Sequence, residues 1–176
     1  MNSKKKGNKW ERVVAKWLTN WSGYTFERNR AGSGSWWSNK DSVSDITCTD
    51  EKHAHRCKVS VECKSYKDIR FEHVLLGNKT CDIVRFWTQA SKDANRAGKI
   101  PILCMRYNSM PKDEFFFVVS SKLLPSFKGV LDSTHMTIHV STIDETLLVF
   151  MASKVINKVK YMDVHKLAKA ILNKSV

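Results

Sequence analysis

The chain has 176 residues, enough for one domain with a hydrophobic core, and contains no internal repeat that would predict an array. Lysine and arginine total 30 against 17 aspartates and glutamates, so the formal net charge is +13 and we expect a polyanion as partner. The sequence has no run of about eighteen apolar residues and no signal-peptide core, so we expect no membrane association, no secretion, and a single intracellular unit, 1–176.

The five cysteines form an odd set without a repeated short spacing, which favours reduced thiols over a disulfide scaffold. Two of them enclose two histidines in the pattern C-x4-H-x-H-x-C, formed by Cys48, His53, His55 and Cys57. This spacing matches no common structural zinc site, and its histidines lie in a polar stretch. The pattern therefore disfavours zinc as a cofactor.

The first predicted element is an amphipathic helix near the N terminus. Its apolar residues recur at intervals of three and four, at Trp10, Val13, Val14, Trp17, Leu18 and Trp21. Ser22 and Gly23 are predicted to end it. The three tryptophans therefore belong to a buried face, and the basic stretch KKKGNK at its start is typical of a solvated tail that gains affinity by counterion release.

Three short strands are predicted next. The alternation in YTFERNR indicates a half-buried strand, and AGSGSWWSNKDS is predicted to follow as a surface loop. The segments VSDIT and KVSVECK predict adjacent strands joined by the polar connection TDEKHAHR. In the second of these, one face carries Val59, Val61 and Cys63, and the other carries Ser60, Glu62 and Lys64.

The second half of the chain predicts a helix, four strands and a closing helix. The helix spans Ile83 to Ala94, with Asp82 as N-cap and Gly98 just past its end, and IPILCMRY follows as a central strand. Three further strands are predicted in EFFFVVS, MTIHVS and TLLVFM, before an amphipathic helix capped by Asp163. This order of elements predicts an α/β or α+β fold with a mixed sheet.

Three charged residues in this frame have the chemistry of a phosphodiesterase. Mg²⁺ keeps several waters and takes few protein carboxylates, so Asp45 and Glu62 on neighbouring strands would suffice as ligands. Lys64 shares a strand face with Glu62, where its ammonium could act on the attacking water or on developing phosphorane charge. The pair E-x-K alone is weak evidence, because glutamate and lysine also pair as solvated charges on exposed strands.

The ordered segments KGNKWERVVAKWL, FERNRAGSGS, SDI and VECK resemble the PD-(D/E)XK nuclease superfamily, and most closely the Holliday junction resolvases of archaeal and phage type. The resemblance implies a restriction-endonuclease-like fold with a central mixed sheet flanked by helices. Its catalytic core would be 1–109, and 110–176 would add a β-rich extension and closing helix to the same domain. The chain departs from the family pattern in having Ser44 where proline is usual, and in its longer connection to Glu62.

The resemblance also implies roles for individual residues. Glu11 would bind a second ion or order a metal-bound water, Asp45 and Glu62 would bind Mg²⁺ or Mn²⁺, and Lys64 would be the catalytic lysine. Cys63 would offer its backbone carbonyl to the metal, and Gln89 would be an accessory residue. The implied DNA surface comprises Lys4, Lys5, Lys6, Arg28, Arg30, Gly32, Ser33, Gly34, Trp36 and Trp37, with Ser33 at the scissile phosphate.

The implied activity is that of a homodimeric endonuclease that cuts branched DNA, in the cytoplasm of the cell or of a phage's host. An alternative keeps the chemistry but acts on duplex ends, flaps or a specific sequence. A second alternative is a catalytically silent DNA-binding module on a nuclease fold. Trp36 and Trp37 could stack on bases or pack within their loop, and the sequence leaves both possibilities open.

Overall fold

The computed structural model describes residues 3–29, 44–76, 81–131, 134–141 and 143–174. Six α-helices and seven strands lie in these ranges. In chain order they are α1 (Ser3–Ser22), β1 (Phe26–Arg28), β2 (Ile46–Cys48), β3 (Val59–Tyr66), α2 (Glu72–Leu75), α3 (Asp82–Ala97), β4 (Ile100–Tyr107), β5 (Phe116–Ser120), α4 (Leu124–Phe127), β6 (His135–Val140), β7 (Glu145–Met151), α5 (Ala152–Lys158) and α6 (Tyr161–Lys174).

The strands form one mixed sheet in the order β1-β2-β3-β4-β5-β7-β6. The central pair, β3 and β4, is parallel and runs in register from Val59 opposite Ile100 to Tyr66 opposite Tyr107. Parallel neighbours need a crossover, which α2 and α3 supply. All other strand pairs are antiparallel. The sheet thus places β3, the strand with Glu62, beside β4, which is buried from Pro101 to Met105.

Helices cover both faces of this sheet. On one face the apolar stripe of α1, including Val14 and Leu18, packs with Val61 of β3. On the other face Phe86 and Trp87 of α3 pack with Leu103 and Met105 of β4. Because strand side chains alternate, Val59 and Val61 point to the α1 side while Glu62 and Lys64 point to the α3 side. The predicted division of the second strand is therefore confirmed.

Most predicted elements are confirmed, but two predicted caps are wrong. The helix α3 begins one residue after Cys81, whose extended backbone makes it the N-cap, so Asp82 lies inside the first turn and pairs with Arg85. The helix α6 already begins at Tyr161, so Asp163 is also a first-turn residue. Both acids remain favourable there because of the helix dipole. At the other end of α3, Gly98 adopts the left-handed backbone with φ of 64° that its predicted position requires.

The first predicted strand is shorter than expected. It begins at Phe26, and the preceding Tyr24 is not paired in the sheet but stacks its ring on His53 at a centroid distance of 4.0 Å. The predicted loop over 31–42 lies outside the described residues.

The last third of the chain extends the same sheet. The strand β5 pairs with β4, β7 pairs with β5, and β6 forms the edge. The helices α5 and α6 join the core on the α1 side through Val155 and Val164. The fold is thus α+β with a central mixed sheet, a β-rich C-terminal extension and a closing helix, as predicted. Among the described helices, none is long and apolar enough to cross a membrane.

Candidate active site

The antiparallel pairing of β2 with β3 brings two carboxylates together. Ile46 lies opposite Val61, so Asp45, which immediately precedes β2, lies opposite Glu62 of β3. The backbone N–H of Asp45 donates to the carbonyl of Val61 at 3.1 Å, and the N–H of Cys63 donates to Asp45 Oδ2 at 2.8 Å. The carboxylate of Asp45 is therefore fixed against the strand that carries Glu62.

Glu62, Lys64 and Gln89 form a closed hydrogen-bond network between β3 and α3. Glu62 is only 5% exposed, and its Oε1 accepts from Lys64 Nζ at 2.6 Å and from Gln89 Nε2 at 2.9 Å. Lys64 Nζ also donates to Gln89 Oε1 at 3.0 Å and lies 5.7 Å from the ring centroid of Phe86. These contacts hold the lysine ammonium beside the carboxylate.

The two carboxylates lie in an environment that resists their charge. Burial, followed by repulsion from Asp45, raises the pKa of Glu62 to about 7 even though Lys64 opposes the shift. Burial also raises the pKa of Asp45, with a further contribution from Glu11, against the lowering effect of the Cys63 hydrogen bond. A pair of buried, mutually repelling carboxylates is stabilised by a cation between them.

The arrangement of oxygens fits a divalent cation. Among the described residues, neither Oδ1 of Asp45 nor Oε2 of Glu62 has a hydrogen-bond partner, whereas the other oxygen of each carboxylate is occupied. No group of three histidine, cysteine, aspartate or glutamate side chains lies close enough to hold a metal within the described ranges. Two carboxylates match the needs of Mg²⁺, which retains several waters, better than those of a fully caged ion.

Glu11 of α1 lies on the flank of this site. Its carboxylate forms an ion pair with Nε of Arg28, and Arg28 Nη2 donates to Asn8 Oδ1 at 2.8 Å. Glu11 is close enough to Asp45 to raise its pKa. The structure thus brings Glu11 near Asp45, and Arg28 links Glu11 of α1 to Asn8 of the same helix.

A fourth acid, Asp93, was not among the predicted site residues. It lies one turn after Gln89 on α3, and its charge contributes to the raised pKa values of both Asp45 and Glu62. Its side chain is 19% exposed and lies 3.8 Å from Arg96. The spacing of four residues from Gln89 was visible in the sequence, because residues i and i+4 share one face of a helix.

The predicted DNA-contacting residues divide into two groups. Lys4, Lys5 and Lys6 lie in the first turns of α1, where Lys5 is exposed and Lys6 donates to Asn108 Oδ1. Arg28 also lies in the described part of the chain, in β1, where its side chain contacts Glu11 and Asn8. The remaining predicted residues lie outside the described ranges, namely Arg30, Gly32, Ser33, Gly34, Trp36 and Trp37.

His53 and Cys57, in the connection between β2 and β3, pack against α6. His53 is 4% exposed and forms a 2.9 Å hydrogen bond with the hydroxyl of Tyr161. The thiol of Cys57 lies 3.7 Å from the same hydroxyl, and its hydrogen bond with the thiol of Cys48 raises the pKa of Cys48. These contacts give His53 and Cys57 a structural role, because they hold the closing helix α6 against the connection.

Comparison with known proteins gives one match. The model of the family described as phage putative PDDEXK endonuclease matches residues 2–166. No curated protein and no solved structure matches the chain. PD-(D/E)XK nucleases are generally dependent on a divalent metal, which agrees with the paired carboxylates on β2 and β3. Because the match spans nearly the whole chain, the protein belongs to the phage PDDEXK endonuclease family.

Proposed function

We propose that the protein is a Mg²⁺-dependent DNA endonuclease that cuts branched DNA, with four-way junctions as its preferred substrate. The observation that carries the nuclease chemistry is the network in which Asp45, Glu62 and Lys64 converge beside Gln89. The preference for junctions is supported by the resolvase-like segments of the sequence. Paired nicks on a junction require two sites related by a two-fold axis, so we propose a homodimer.

The residues have distinct tasks in this mechanism. Asp45 and Glu62 would hold Mg²⁺, which when bound supplies charge neutralisation at the phosphoryl oxygens and a more acidic water. The ammonium of Lys64 has three N–H donors, and its described hydrogen bonds go to Glu62 and Gln89. A further N–H is therefore available to steady the attacking hydroxide or the charge that develops on phosphorus. Glu11 would orient a second ion or a water at the flank.

The proposal is tested by single-turnover cleavage of a labelled four-way junction, a flap, a linear duplex and a single strand, each in Mg²⁺ and in Ca²⁺. We expect symmetric nicks on the junction in Mg²⁺ and binding without cleavage in Ca²⁺. Cleavage of all substrates would support nuclease activity and contradict the preference for junctions. Binding without product in any metal would identify a DNA-binding module on a nuclease fold.

Replacing Lys64 with alanine should lower the single-turnover cleavage rate about 10²-fold to 10³-fold, because a group that acts on transition-state charge is lost. Binding of the same DNA in Ca²⁺ should change little, since Lys64 lies against Glu62 and Gln89 and contributes little to the outer surface. The matched control is Lys67→Ala, which removes an exposed lysine three residues further on. Equal rates for both variants would show that Lys64 has no special role.

Replacing Gln89 with alanine should slow cleavage about tenfold, equivalent to roughly 1.4 kcal/mol, because Glu62 loses a donor and Lys64 loses an acceptor. Since Gln89 is exposed, the thermal unfolding midpoint should stay close to that of wild type. The control is Thr88→Ala, an exposed neighbour on α3. A rate equal to that of the control would mean that Lys64 and Glu62 keep their geometry without Gln89.

A further inference from the structure

A basic pocket of about 370 Å³ lies on the α1 side of the sheet, the face opposite to that of Glu62 and Lys64. Its wall includes Lys6 and Lys9 of α1, Arg106 near the end of β4, and Lys112 in the following loop. One carboxylate, that of Asp113, also lines it. Four cations against one acid give the pocket a strong preference for an anion.

The wall of the pocket is held in place by contacts between separate elements. The guanidinium carbon of Arg106 lies 5.2 Å from the ring centroid of Trp10, and its Nη2 donates to the carbonyl of Met110 at 3.0 Å. Lys6 donates to the side chain of Asn108 and thereby joins the first turns of α1 to the segment after β4. The cations are therefore organised around the cavity by the fold.

The pocket and the residues assigned to cleavage are built on the same two elements, β3 and α1. Ser65, which lines the pocket, follows Lys64 in β3, and Trp10 precedes Glu11 in α1. Consecutive Cα atoms are about 3.8 Å apart, so the pocket and the site are close along β3, with Ser65 and Lys64 on opposite faces of the sheet. One strand of DNA presents a phosphate about every 3.4 Å along its axis, so DNA bound at the site carries many further phosphates that a basic pocket on the same elements can bind.

We propose that this pocket binds a phosphate group of the bound DNA other than the phosphate that is cut. The inference rests on the proposed function in taking DNA as the ligand. The phosphate is either an internal diester of the strand or the terminal 5′-phosphate of a strand end. Lys9 and Lys112 are exposed and form its outer rim, while Arg106 forms part of its inner wall.

The test compares two double variants that remove the same charge. Lys9→Ala/Lys112→Ala removes two cations of the pocket, and Lys166→Ala/Lys169→Ala removes two exposed cations of α6 outside it. The probe is a duplex labelled at its 3′ end, with either a 5′-phosphate or a 5′-hydroxyl. Its dissociation constant is measured in Ca²⁺ at several salt concentrations. Thermal unfolding midpoints establish that both variants are folded.

The logarithm of the dissociation constant rises linearly with the logarithm of the salt concentration. For the pocket variant we expect the slope of this line to be smaller than for the α6 control, by about 0.9 for each phosphate that the protein no longer neutralises. A fall with both duplexes identifies an internal phosphate as the ligand, and a fall with the 5′-phosphate duplex alone identifies the terminal phosphate. Equal slopes for both variants on both duplexes would overturn the proposal.

This result is independent of the proposed cleavage. If only the pocket variant binds DNA more weakly and wild type cuts no substrate in Mg²⁺, the phosphate pocket is supported and the proposed nuclease activity is contradicted. If wild type cuts DNA and the two double variants bind it equally well, the nuclease activity is supported and the phosphate pocket is contradicted.

Discussion

Replacing Asp45 with asparagine should abolish detectable cleavage, with a loss of at least about 10³-fold in single-turnover rate, while DNA binding in Ca²⁺ persists. The substitution keeps the shape of the side chain and an oxygen that can accept from the N–H of Cys63, but it removes the charge that a divalent cation needs. It also removes one of two buried carboxylates that repel each other, so the metal-free variant should be at least as stable as wild type.

The control for this substitution is Asp68→Asn, which neutralises an exposed aspartate paired with Arg70 near the end of β3. Cleavage of a four-way junction and its linear duplex should be measured for wild type and both variants. Activity of Asp45→Asn close to that of the control would place the metal elsewhere.

Replacing Glu62 with glutamine should stabilise the metal-free protein above neutral pH while it inactivates the enzyme. The pKa of Glu62 is raised from 4.5 to about 7, so the folded chain holds a proton there that the unfolded chain releases. The stability contributed by this proton is complete below pH 4.5 and is lost as the pH rises to 7. A shift of this size corresponds to about 3 kcal/mol, and glutamine avoids that loss.

The measurement is the free energy of unfolding in urea with a chelator, for wild type and Glu62→Gln, between about pH 4.5 and 8. The difference between the two proteins should grow in favour of the variant up to about pH 7 and then remain constant. Adding Ca²⁺ at the upper end of this range should stabilise wild type more than the variant, because the metal needs the carboxylate. A difference that does not vary with pH would mean that Glu62 titrates normally in the folded chain.

The parts of the fold that could be predicted are those with a regular period. The stripe of α1 and the alternation of Glu62 and Lys64 with valines in β3 are set by local geometry, so the sequence alone reveals them. The short helices α2, α4 and α5 were missed, because four to seven residues are too few to display a helical period. The caps Asp82 and Asp163 were misplaced, since helix starts depend on backbone angles that composition does not determine.

The candidate site was predictable for a different reason. The order and spacing of Asp45, Glu62 and Lys64 in the sequence bring them close together once the two strands pair. The ion pair of Glu11 with Arg28 joins a helix to a strand 17 residues away, and the effect of Asp93 depends on how α3 lies across the sheet. Both features arise from packing between elements, which no local pattern encodes. The catalytic roles of these residues stay predictions until variants are measured.

The contact between the first helix and the last has a consequence for the order in which the chain can fold during synthesis. Trp21 of α1 donates its indole N–H to the carbonyl of Val159 at 2.6 Å, across 138 positions of sequence, and its ring packs on Tyr161. The segment from Asp45 to Gln89, which contains the candidate active site, has left the ribosome long before Val159 and Tyr161 do. The packing of Trp21, and with it that of the end of α1, is therefore completed only after α6 has been made, whereas the ion pair of Glu11 with Arg28 needs only β1.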